Sequence, residues 1–125
     1  MTASAWSCAA SAAIAACWVA GSGPAYVYLL AEAMARGAMD VGFDSATALA
    51  LARATIRGAS AMMDTQPQDP EDLRRAVTSP GGTTAAALDV LDAGGLVPLM
   101  SRAILAARDR GRALGSGASG PSPAD

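Results

Sequence analysis

The stretch Val77-Thr78-Ser79-Pro80-Gly81-Gly82-Thr83-Thr84 carries the residue types best suited to holding a ligand in this 125-residue chain. Two glycines permit backbone angles closed to other residues, Pro80 stiffens the entry, and the residues that follow have the composition of a helix start. The opening N–H groups of a helix have no partner inside it, and they lie at the positive end of its dipole. Such a site takes a carboxylate or phosphate, to which the Ser79, Thr83 and Thr84 hydroxyls can add neutral hydrogen bonds. The same residues also suit a plain glycine-rich turn with Thr83 as the helix N-cap. Amides and hydroxyls bind and orient a substrate, but they supply no hydride, no general base near neutrality and no metal.

Composition narrows what else the chain can do. Nine arginines stand against eleven acids, for a net charge of −2, with neither lysine nor histidine. An imidazole base, a histidine metal site, a Schiff-base lysine and a Walker-type phosphate lysine are all excluded. The mild acidity argues against holding nucleic acid by charge. Glu32, Asp64, Glu71, Asp72, Asp89, Asp92 and Asp109 are scattered and form no paired-carboxylate constellation. Glu32 stands alone in an apolar helix, where an exposed position accounts for it. Arg74 and Arg75 lie close to the glycine turn in sequence, with surface pairing to Glu71 and Asp72 as their default use and a phosphate as the alternative. Cys8 and Cys17 form no CxxC pair and read as small buried hydrophobes in a reducing, cytoplasmic setting. Met34, Met39, Met62, Met63 and Met100 read as gap-fillers of a core.

The elements that must position the turn are helices. Hydrophobic residues make up 52 % of the chain and aromatics only 4 %, and the excess is largely alanine, the best helix former. Glycine, proline and aspartate punctuation predicts five helical segments, at about 24–39, 45–63, 70–77, 83–93 and 96–114, with no convincing strand. Ser22 or Gly23 is expected to cap the first and Asp44 the second, while Pro70 with Glu71 and Asp72 opens the third. Tyr26, Leu29, Leu30, Ala33 and Met34 form one apolar stripe. Ala46, Ala50 and Ala54 recur every four residues, a surface a partner helix can approach closely, although packing within one chain explains them as well. A chain of this length is expected to bury roughly two thirds of its surface around one core.

The flanks differ from this pattern. Met1 to Ala31 has no charged side chain, yet it lacks the basic start of a signal peptide and is too diluted by serine, alanine and Gly21-Ser22-Gly23-Pro24 for a membrane span. Ala9 to Val19 has helical propensity without a cap, and residues 116–125 are too rich in Ser, Gly, Pro and Ala to order. The organisation expected is an Ala-rich segment at 1–20, a helical domain at 21–115 and a disordered tail at 116–125.

Gly21-Ser22-Gly23-Pro24-Ala25-Tyr26, a helix pair, then Leu73 and the run from Val77 to Thr84, followed by Leu88, Leu91, Gly94 and Gly95, closely resemble pyrroline-5-carboxylate reductase. The resemblance implies the C-terminal dimerisation domain of that family: an all-α bundle of about five helices, interlocked as a dimer and lacking the N-terminal Rossmann domain, since no strand followed by GxGxxG is present. It also implies NAD(P)H-dependent reduction of 1-pyrroline-5-carboxylate to L-proline, the last step of proline biosynthesis. Carried over residue by residue, Ser79, Gly82, Thr83 and Thr84 hold the substrate carboxylate through the loop amides, and the Thr84 hydroxyl faces the ring nitrogen. The partners implied are a second copy, in a homodimer or higher oligomer, and proline or pyrroline-5-carboxylate; no membrane or nucleic acid is expected. NADPH or NADH is the family's cofactor, and this chain alone is expected to bind neither it nor a metal. Residues 1–20 do not look like the family's connecting segment, which suggests a fragment, a misplaced start or a shifted frame. The alternative reading is a catalytically silent helical dimerisation module.

Overall fold

Alanine, leucine and arginine favour helix at most positions between the glycine and proline breaks. The computed structural model, which describes residues 18–115, accordingly contains helices and no strand among those residues. They are α1 (Gly23–Asp40), α2 (Ser45–Thr65), α3 (Pro70–Ala76), α4 (Thr83–Ala93) and α5 (Leu96–Gly115), with residues 18–20 helical as well. Each boundary falls within two residues of the sequence-based expectation. The two cysteines, the tail at 116–125 and all of the Ala9 to Val19 segment except its last two residues lie outside the described residues.

Local chemistry explains the breaks. Asp44 caps α2 through both carboxylate oxygens, Oδ1 accepting the Thr47 N–H at 3.0 Å and Oδ2 the Thr47 hydroxyl at 2.7 Å. The Thr47 hydroxyl, and after it the Thr47 N–H, hold the Asp44 carboxyl below its ordinary range. Pro70 occupies the first turn of α3, where Glu71 and Asp72 face the positive end of the dipole. Just before α1 the Ser22 hydroxyl donates to the Trp18 carbonyl at 2.6 Å, and the Ser22 carbonyl accepts the Ala25 N–H at 3.0 Å.

Two compact units divide the chain. Tyr26–Gly94 is one, and the described residues flanking it on both sides form the other. In the flanking unit the Arg112 guanidinium lies 5.6 Å from the centre of the Trp18 ring, a cation–π contact, and Gly111 leaves room for the indole.

Within Tyr26–Gly94 the expected core is corrected. Among the described residues only Ala48 and Ala52 are buried, at 0 % and 3 % exposure. These two alanines lie on the opposite flank of α2 from Ala46, Ala50 and Ala54, which stay exposed. On α1, Tyr26 and Met34 are half-buried, but Leu29 and Leu30 remain 65 % and 51 % exposed. Met39, Met62, Met63 and Met100 are exposed rather than gap-filling. The reason is geometric: thin, Ala-rich helices have apolar residues on more than one face, and a single layer of neighbours covers only one of them.

Candidate functional site

The site is built on a single tight turn. Pro80 and Gly81 are its two central residues, Gly81 has φ +71°, and the Gly82 N–H donates to the Ser79 carbonyl at 3.0 Å. Proline second and a left-handed glycine third is the type II arrangement. Gly82 then becomes the N-cap of α4 in extended conformation, with φ −82° and ψ 178° and no side-chain cap bond. Thr83 is therefore the first helical residue and not the cap.

This start leaves donors open. The first bond closing α4 runs from Ala86 N–H to the Gly82 carbonyl at 3.2 Å. The N–H groups of Thr83, Thr84 and Ala85 precede it and have no acceptor among the described residues. The hydroxyls of Ser79, Thr83 and Thr84 are likewise without a hydrogen bond, whereas Thr78 Oγ1 donates back to the Arg74 carbonyl at 2.6 Å and closes the end of α3. A Cβ added to Gly82 would lie 2.5 Å from Ser79 Oγ and 3.2 Å from the Ser79 carbonyl oxygen. Ser79 thus folds over the glycine, its hydroxyl beside the helix start.

The four residues singled out in the sequence come together here, in unequal states. Ser79 and Thr83 are exposed, while Gly82 and Thr84 are half-buried. The Gly82 amide is already committed inside the turn. Ala85, which the sequence reading did not single out, carries the third open N–H. The signal was available, because the first three residues of any helix have orphan donors once its start is fixed.

Thr84 also borders an apolar hollow of about 430 Å³, whose walls include Met62, Met63, Leu73, Val77 and Leu88. Arg75 takes its default role: it pairs with Asp72 and lies 3.8 Å from Glu71 within α3, and does not serve the turn. No group of three or more metal-ligating side chains occurs among the described residues. No single described helix is long and apolar enough to cross a membrane.

The family model described as pyrroline-5-carboxylate reductase dimerisation matches residues 11–114. The chain belongs to this family. Among curated relatives, the dimerisation domain described here is 43 % identical over 96 residues to the pyrroline-5-carboxylate reductase of Pisum sativum, covering 77 % of this chain and 35 % of the relative. It is 52 % identical over 73 residues to pyrroline-5-carboxylate reductase 2 of Bacillus subtilis, covering 58 % of this chain and 26 % of that one. The chain thus spans about a third or less of the length of these relatives. Among solved structures, the pyrroline-5-carboxylate reductase of Coxiella burnetii superposes with a TM-score of 0.80 at 38 % identity, over 85 % of this chain and 40 % of that one. The Plasmodium falciparum pyrroline carboxylate reductase, solved with NADP bound, gives 0.78 at 30 % identity over 82 % and 39 %.

Proposed function

We propose that residues 21–115 form the dimerisation and substrate-carboxylate-binding domain of an enzyme that reduces 1-pyrroline-5-carboxylate to L-proline with NADPH or NADH, the closing step of proline biosynthesis. The observation that carries the substrate role is the group of three open N–H donors at the start of α4. The substrate carboxylate accepts from Thr83, Thr84 and Ala85, where unsatisfied donors and the helix dipole both favour negative charge. Ser79 adds its hydroxyl, and Gly82 contributes the bare Cα that lets Ser79 fold close. The Thr84 hydroxyl meets the ring nitrogen.

The dimer role rests on family membership together with the exposed apolar faces of α1 and α4, where Leu29 and Val90 are 65 % and 71 % exposed. A second copy covers these faces, as a homodimer or a higher assembly of it. Among the described residues no strand leads into a glycine-rich turn and helix of the kind that cradles a dinucleotide. This chain's own part in the reaction is therefore to bind and orient the substrate. That same observation favours, as a second reading, a silent dimerisation module that retains the turn.

Proline is the probe for the site. Saturating proline is expected to raise the thermal midpoint of the protein, and Thr84→Ala is expected to weaken proline binding about three- to tenfold, the worth of one net hydrogen bond. An unchanged proline shift in Thr84→Ala removes the assigned role of the hydroxyl. Adding pyrroline-5-carboxylate and NADPH then separates the two readings, since proline protection without NADPH oxidation is the signature of the silent module.

A further inference from the structure

We infer that Arg53, Arg57 and Glu32 form a self-complementary charged patch that sets the register of the dimer, Glu32 of each chain meeting the arginine pair of the other. The inference rests on the homodimer reading above and adds its contact residues.

The three charges share one hollow of about 510 Å³ between α1 and α2, lined also by Val27, Leu49 and Ile56. Arg53 and Arg57 are one turn apart on α2, and Glu32 stands on α1. All three are exposed, and the ion pairs among the described residues involve none of them. The chain therefore presents both signs of charge at the edge of an apolar surface without joining them.

An apolar partner laid over this face would strand three charges, which is costly. A small anion would satisfy the arginines and leave Glu32 facing like charge. A second copy related by a two-fold axis satisfies both signs at once, because in such a contact residue i meets j and j meets i. Tyr28, also in the hollow, and the arginines belong to the residue types enriched at interfaces, where lysine is depleted. By helical spacing Ala46 and Ala50 flank the same side of α2, so the partner's backbone can come close beside the charges.

Charge exchange tests this. Glu32→Arg alone, and Arg53→Glu with Arg57→Glu, each set like charges against each other twice in a homodimer. Each is expected to weaken dimerisation about a hundredfold by light scattering after size exclusion. Mixing the two variants restores opposite charges at both contacts, and a mixed dimer of wild-type mass is expected. Dimerisation of either variant at wild-type strength overturns the inference while leaving the dimer reading intact, as does failure of two helical variants to combine on mixing. A monomeric wild type sinks the dimer reading and this inference with it. Should a reversed chain fail to fold, Glu32→Gln and Arg53→Gln with Arg57→Gln carry the same test. Their effects on dimer affinity are expected to be coupled, and strictly additive losses overturn the contact.

Discussion

Replacing Leu29 and Leu30 together with aspartate is expected to convert the dimer to a monomer at micromolar concentration, with a large loss of thermal stability. Both leucines are more than half exposed in the single chain, so the substitution removes little of the chain's own packing. In the proposed dimer a second copy covers them. Full burial of one leucine is worth about 1.5–3 kcal/mol, and an unpaired carboxylate in the same place costs several more. Two such changes on each of two chains weaken association far beyond about a hundredfold. The thermal midpoint of the wild type should rise with protein concentration, as it does when folding and association are linked, and that of the variant should not. Sedimentation or light scattering decides the matter: a double-aspartate protein of dimeric mass and unchanged midpoint shows that this face of α1 is not the interface.

Gly81→Val is expected to abolish proline protection. Gly81 holds φ +71°, a left-handed conformation that costs an ordinary residue about 1–2 kcal/mol and a β-branched one more. The cheapest escape is to give up the turn, and with it the bond from the Gly82 N–H to the Ser79 carbonyl that fixes where α4 begins. The open amides of Thr83, Thr84 and Ala85 then lose the fixed helix start that presents them together. Gly81→Asn is the companion, since asparagine tolerates the left-handed region, and it is expected to keep most of the affinity. Calorimetry with proline checks the pair. A valine variant that binds as the wild type does would show that the turn does not organise the site.

Much of this architecture is legible in the residues because the breaks are local. Pro80-Gly81-Gly82 and Gly94-Gly95 bracket α4, and Asp44 with Thr47 marks the start of α2, each through chemistry confined to a few neighbours. The burial pattern is not local. Alanines occur on both flanks of α2, so spacing alone does not distinguish Ala48 and Ala52, which pack within the chain, from Ala46, Ala50 and Ala54, which do not. The exposed methionines follow from the same ambiguity: apolarity says that a residue seeks cover, not whether its own chain supplies it. At the turn, the residue types marked where a helix start leaves donors open, but the assignment of individual amides depends on where the β-turn ends and the helix begins. That one-residue shift puts Gly82 inside the turn and opens Ala85.

The most direct test of the substrate role is to follow the backbone amides of the folded protein by NMR while proline is added. Thr83, Thr84 and Ala85 are expected to shift together and saturate at one affinity, with their hydrogen exchange slowed in the bound state, while the Gly82 amide keeps its turn bond and moves least. Binding of proline with these three resonances unmoved, or with changes confined to another part of the chain, would contradict the account.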